Sequence, residues 1–332
     1  MRNSKILVIG VSAATNEVVK NLVLAGVGSL TILDEKEVRA RDLGAQFFID
    51  ETDVGKKIAE AVKFRVQRLN PRVGLEIVTA SLEEKLASEG GEQWVQGFDV
   101  VVASNLDYHQ LARVNGLTRA AHKSFYATQL FGLFGYVFTD LVQHTFTTEK
   151  EKSNIATVVG PETKTRSVIK VETRKDGPKY LETITKSEVY KPFTDIVADP
   201  LFAAKYTARK LLKVSTLLPI ILGYWQLQLQ SSSNKNNDEE GAHQQSTLID
   251  ETSLYEAAVD KARQLGIPAA VVKPDTVHTF VSSLDTELSP VAAVIGGILA
   301  QDVLNVLGQK EQPIQNLFIF SGASSEGPIY TV

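Results

Sequence analysis

The stretch ILVIGVSAATNEVVKNLVLAGVGSLTILD, residues 6–34, constrains the fold more than any other. Residues 5–9 (KILVI) form a short continuous apolar run, Val18, Val19, Leu22 and Val23 recur at helical spacing, and residues 29–34 (SLTILD) form a second apolar run. A strand, a helix and a strand in so short a span imply two parallel neighbours joined by a right-handed crossover. In a working unit of this kind the turn after the first strand carries three glycines, and the helix N-terminus attracts a phosphate. Here Gly10 stands alone, and Ser12 and Thr15 take the second and third places. Their hydroxyls can donate to a phosphate, yet each brings a Cβ into space that glycine leaves empty. Asp34, 24 residues after Gly10, stands where a ribose-binding acid belongs and reads equally well as a solvated residue capping a turn.

The same rhythm continues with a helix from Gly55 to Leu69, a strand at 75–79, a strand at 98–104 and a helix at 107–121. Strand-like sequence follows from Ser124 to Leu141, with Gly132 and Gly135 read as breaks. This is the pattern of a Rossmann-like, doubly wound α/β domain. From Glu162 the alternation is lost. SVIKVETRK and LETITKSEV read as strands and DPLFAAKYTARKLLKVSTLL as a helix, which predicts an inserted α+β and helical subdomain over 162–274. Within it, residues 231–247 (SSSNKNNDEEGAHQQST) hold no apolar residue beyond Ala242 and read as a disordered loop. A helix over 250–265 stops at Gly266, with Pro268 just beyond. PVAAVIGGILAQDVLNVLG and NLFIFSG supply a buried helix and a strand expected to return to the first sheet, so the main domain is discontinuous, 1–161 and 275–332. Gly296 and Gly297 inside that helix each cost about 1 kcal/mol against alanine and imply tight packing there.

Charge and composition exclude several functions. The chain has 332 residues and a net charge of −4, with no face crowded enough in Lys and Arg to follow a phosphate backbone, so nucleic acid is not an expected partner. It has no cysteine, which removes disulfides, thiolate zinc sites and thioester chemistry of its own. The N-terminus runs straight into KILVIG without a charged and apolar leader, and LLPIILGYW at 217–225 is too short to span a bilayer, so a soluble intracellular chain without membrane partners is expected. His109, His122, His144, His243 and His278 show neither metal spacing nor a neighbouring nucleophile motif and read as structural or surface residues.

The stretches LTILDEKEV, DLGAQFFID, DVGKKIAEAV, RLNPRV, FDVVVAS and PVAAVIGGILAQDV, taken together, resemble the adenylation domains of the ubiquitin-like-protein activating enzymes. Within that family the likeness is to the smaller subunits of SUMO-activating heterodimers, carried further by GAQF at 44–47, VVGP at 158–161 and ETRKD at 172–176. It runs from Lys5 to Gly322. The resemblance implies that Ile58 stands where active members hold a phosphate-contacting lysine, Ala45 where they hold an arginine, and Leu106 where they hold a metal-associated aspartate, with Asp107 one place away. It therefore implies a degenerate adenylation domain with no catalytic residue and no metal site of its own, in which Gly10 and Asp34 are vestiges. Adenylation must hold developing phosphate charge with Arg, Lys and metal, which these three side chains do not supply.

By the same resemblance the partner is the catalytic subunit of the SUMO-activating enzyme, which brings the ATP and magnesium site, the catalytic cysteine and a zinc. SUMO is engaged through the complex, Gln46 and Phe47 face the subunit interface, and the location is the nucleus, with the cytoplasm also open. The family's N-terminal segment with an arginine used in trans has no counterpart in MRNSKILVIG, so that role is unassigned. Two other readings stay open on sequence: an independent dinucleotide-binding enzyme of the Rossmann type, and the equivalent subunit for another modifier such as NEDD8.

Overall fold

The computed structural model describes residues 1–198, 202–203, 206–233 and 249–332. Its first sheet is built from β1 (Lys5–Ile9), β2 (Ser29–Leu33), β3 (Gly74–Val78), β4 (Val100–Ser104), β5 (Ser124–Phe131), β6 (Phe134–Asp140), β11 (Leu317–Ser321) and β12 (Ile329–Tyr330). The strand order is β12-β11-β6-β5-β4-β1-β2-β3. The five strands from β3 to β5 run parallel, and β6, β11 and β12 add on antiparallel. Strands buried on both faces read as continuous apolar runs rather than alternating ones, which is why KILVI and VVVAS are so uniformly hydrophobic.

On one face lie α1 (Ala13–Ala25), α2 (Ile58–Leu69) and α11 (Ser289–Gly308), whose Val18, Leu22, Val62, Ile295 and Leu299 pack on Ile6, Val8, Leu30 and Ile32. The opposite face carries α5 (Tyr108–Ala120), α8 (Leu217–Ser233), α9 (Glu251–Gln264) and α10 (Pro274–Ser282), closing over Leu7, Ile9, Val101 and Ala103 with Trp225 and Phe280 at its centre. The short helices α3 (Leu82–Ala87), α4 (Gly91–Gln96), α6 (Phe193–Ala198) and α7 (Ala208–Leu211) add Leu82, Val95, Phe193 and Leu211 to the same apolar cluster. The helix α11 is long and apolar enough to cross a membrane, a feature the sequence reading passed over, but its buried residues are spent against α1 and the sheet. A Cβ on Gly296 would stand 2.5 Å from the Ala14 carbonyl oxygen, so close packing does explain that glycine. Gly297 faces open space and has no such reason.

The second sheet consists of β7 (Gln143–Glu151), β8 (Gly160–Pro161), β9 (Arg166–Asp176) and β10 (Lys179–Val189), in the antiparallel order β7-β10-β9-β8. It begins at Gln143, before the expected boundary at 161. The helices between Phe193 and Gln264 that the sequence grouped with it pack on the first sheet instead. The single helix expected over 199–218 is not formed: α7 spans four residues and α8 begins at Leu217, while 199–201 and 204–205 lie outside the described residues. Most of the expected loop 231–247 also lies outside them, and residues 231–233 end α8. Gly135 is not a break but sits inside β6, where a Cβ would meet Ile295 at 2.3 Å.

The chain enters and leaves the second sheet at one buried cluster. Asp140, with no exposed surface, accepts from Arg119 Nη1 at 2.7 and 2.9 Å, from Asn115 Nδ2 at 2.8 Å and from the Val142 N–H at 2.9 Å. Arg119 Nη2 also donates to the Tyr190 carbonyl at 3.0 Å, and the Tyr190 N–H donates to the Val142 carbonyl at 2.9 Å.

Candidate functional site

The residues singled out from the sequence converge at the carboxyl ends of β1, β2 and β4, between β1 and β4, where the strand order reverses and α/β proteins bind their ligands. Gly10 is there for backbone reasons. Its φ is +86°, and a Cβ would lie 2.3 Å from the Ser104 carbonyl oxygen. Ser12 caps α1, and the S-x-x-T spacing makes a reciprocal capping box. The Thr15 N–H donates to Ser12 Oγ at 3.1 Å, the Ser12 N–H donates to Thr15 Oγ1 at 2.7 Å, and Thr15 Oγ1 donates to the Gly10 carbonyl at 3.0 Å. Ser12 Oγ also shares a hydrogen bond of 2.9 Å with Ser104 Oγ. The two hydroxyls therefore close the turn on itself and on the end of β4.

Asp34 is buried rather than solvated. Its Oδ2 accepts the Val11 N–H at 2.6 Å and its Oδ1 the Lys36 N–H at 2.8 Å, so both oxygens already hold backbone donors. The next N–H of the turn, that of Ala13, goes to Glu287 Oε2 at 2.8 Å, and Asn105 Nδ2 donates to Glu287 Oε1 at 3.3 Å. Burial pushes the Glu287 carboxyl above its ordinary value, against the pull of those two hydrogen bonds. Sequence reasoning missed Glu287 and Asn105. Asn105 offered a signal, because it follows β4 directly and asparagine is among the few residues that tolerate its φ of +56°. Glu287 offered none, standing 274 positions from its partner.

Beside the turn opens a cleft of about 430 Å³, lined by Lys36, Arg39, Arg41, Asp42, Gln129 and Glu287 among others. Two of its cations, Arg39 and Arg41, have acids of the chain beside them. Arg39 lies 3.3 Å from Asp42 and Arg41 lies 3.9 Å from Asp285. Ile58 is buried in the apolar cluster at the start of α2, and Ala45 packs against that cluster from the end of the 3-10 turn Ala40–Gly44. Leu106 packs against the core on the opposite face, and Asp107 caps α5 by accepting the Gln110 N–H at 2.9 Å. Gln46 is buried and accepts from Asn16 Nδ2 at 3.4 Å, whereas Phe47 is half-exposed with Lys20 Nζ 5.2 Å from its ring centre.

These residues do not fit a nucleotide phosphate with its metal. The turn's N–H groups at Val11, Ser12 and Ala13 each meet an acceptor of the chain itself, and Ile58, Ala45 and Leu106, the positions the resemblance singles out, are apolar. Of the histidines, His144 is half-buried on β7 and held below its ordinary value by desolvation, and His278 lies 2.9 Å from Glu251. His243 lies outside the described residues.

A crossover turn at a switch point defines a Rossmann-like doubly wound fold, and comparison with known proteins narrows it to one family. The chain matches the ThiF family over residues 1–331, and it belongs to that family. It is similar to the DNA damage tolerance protein RHC31 of Saccharomyces cerevisiae, 37% identical over 99% of this chain and 91% of that protein. It is also similar to SUMO-activating enzyme subunit 1 of Homo sapiens, 31% identical over 98% and 88%, and to that of Xenopus tropicalis, 30% identical over 98% and 89%.

Proposed function

We propose that this chain is the non-catalytic, regulatory subunit of a SUMO-activating heterodimer, and that it completes and stabilises the catalytic subunit's ATP-dependent SUMO adenylation site. What supports the reading is one conjunction: likeness to SUMO-activating enzyme subunit 1 along nearly the whole chain, in a molecule whose own phosphate turn is filled by its own side chains. In this account ATP and magnesium bind at the partner's site, the partner supplies the thioester cysteine and zinc, and SUMO is met through the complex. Phe47, half-exposed and with its ring centre 4.6 Å from that of Phe48, is the better interface anchor, because aromatic residues supply large contact area at the desolvated centre of interfaces. Gln46 is turned inward onto Asn16. A nuclear location belongs to the same proposal.

The reading is tested by mixing the purified chain with a SUMO-activating catalytic subunit, ATP, magnesium and SUMO. Thioester on the catalytic subunit only in the mixture is the expected result, and failure of the two chains to co-elute would overturn it. A dinucleotide-dependent enzyme has no observation in its favour, since its pyrophosphate would have to displace Glu287 from Ala13.

A further inference from the structure

We infer that Glu287 is a built-in occupant of the anion position at the N-terminus of α1, and that it holds the vestigial nucleotide turn closed against polyphosphate ligands. The N-terminus of a 13-residue helix following a parallel strand presents unpaired N–H groups and the positive end of the helix dipole. Something of negative charge is favoured there. In this chain the group is a side chain arriving from the far end of the sequence, on the segment between α10 and α11. Its two oxygens are used separately: one takes the Ala13 N–H at 2.8 Å, the other the Asn105 amide at 3.3 Å.

The placement is not that of a loose surface carboxylate. The Gly132 N–H, at the β5–β6 turn, donates to the Thr286 carbonyl at 2.8 Å, and Gly132 and Glu287 form a parallel bridge. The backbone carrying the carboxylate is thus registered against the first sheet. Gly132 adopts φ +57°, and a Cβ there would stand 2.9 Å from the Ser283 side chain, so the approach of the two segments is close as well as hydrogen-bonded. On the other side, Asn105 holds a left-handed backbone, and its N–H donates to the Thr128 carbonyl at 3.4 Å, which anchors β4's end and sets the amide that meets Oε1. Three elements distant in sequence are therefore spent on delivering one negative charge to one helix end. Neighbouring Asp34 and Thr15 satisfy the other two N–H groups of the turn, so Ala13 is the position that a phosphate oxygen would reclaim if Glu287 were withdrawn.

This inference extends the reading above but fails separately from it, since a partner assay does not read the anion position and the test below needs no partner. The full-length chain is titrated with inorganic pyrophosphate at constant ionic strength, by direct calorimetry and by thermal shift, as wild type, E287A and E287Q. The wild type is expected to show no saturable binding. E287A is expected to bind at least about tenfold more tightly, while E287Q, whose amide oxygen can still accept from Ala13, stays closed. Adding A13P to E287A removes the N–H at a helix position that tolerates proline and is expected to abolish the gain. Circular dichroism reports folding, and if E287A is unfolded, E287D, which draws the carboxylate back by one methylene, takes its place with the same two outcomes. A folded open variant that binds no more tightly than wild type overturns the inference, as does a gain that survives A13P.

Discussion

Two carboxylate centres in this chain are built on opposite plans. At the α1 turn, Asp34 and Glu287 accept from backbone N–H groups and an asparagine amide. At the junction of the two sheets, Asp140 faces the Arg119 guanidinium and accepts from two further donors, the Asn115 amide and the Val142 N–H. A charge fed by helix and turn N–H groups does the work a ligand's phosphate does elsewhere, and it leaves the turn's shape intact without a ligand. A charge locked to arginine fastens one substructure to another. Val142, at φ +58° on a β-branched residue, shows how firmly: that conformation persists only where its surroundings over-determine it, and its N–H is held by Asp140. The comparison therefore separates a site that has been closed from a joint that has been bolted.

The largest effect is expected at the joint. Arg119→Ala leaves Asp140 buried without its cation and the Tyr190 carbonyl without a donor, and is expected to cost about 3–5 kcal/mol in urea unfolding. A loss under about 1 kcal/mol would erase the distinction between the two centres. Next is Gly10→Ala, which sets a Cβ against the Ser104 carbonyl in a left-handed backbone and is expected to cost about 3 kcal/mol, with no nucleotide involved.

A third carboxylate sharpens the contrast. Asp302 on α11 accepts from the Tyr126 hydroxyl and the Ile314 N–H, each at 2.9 Å, has no cation beside it in those contacts, and is pushed up by burial to about 6. Its folded value lies above its unfolded one, so the native state binds more protons between about pH 4 and pH 6. Stability relative to Asp302→Asn is therefore expected to fall as pH rises through that window, by about 2–3 kcal/mol, and to level off above it. Unfolding curves of both proteins at several pH values check this, and a difference independent of pH would contradict it. Ser12→Ala removes the α1 cap and is expected to cost about 1 kcal/mol. Phe47→Ala should change the chain's own stability by less than about 0.5 kcal/mol while weakening capture by the catalytic subunit, measured by co-elution.

The first sheet was legible because β1, β2 and β4 are continuous apolar runs bounded by helices of clear period, and local physics decides such elements. The boundary of the second sheet was not, since Gln143–Glu151 follows β6 without a compositional change and its pairing with β10 is a long-range fact. DPLFAAKYTARKLLKVSTLL carries helical composition but is partitioned by packing on the first sheet. Gly135 read as a break because nothing local distinguishes a turn glycine from one that admits Ile295. At the site, the resemblance implied lost phosphate and metal ligands at Ile58, Ala45 and Leu106, while Ser12 and Thr15 read as glycine replacements and not as the capping pair they form. Asp34 was half legible: its place was right, but its burial and its two backbone donors depend on how β2 ends against β1. Glu287 was invisible, because its meaning comes from a contact between opposite ends of the chain.

The central claim is that the fold of a nucleotide site persists here while the chain itself handles no nucleotide. Calorimetric titration of the isolated full chain with ATP and magnesium tests it most directly. The account predicts no saturable heat up to about 1 mM ligand. Stoichiometric binding with ATP seated at the α1 turn would contradict it.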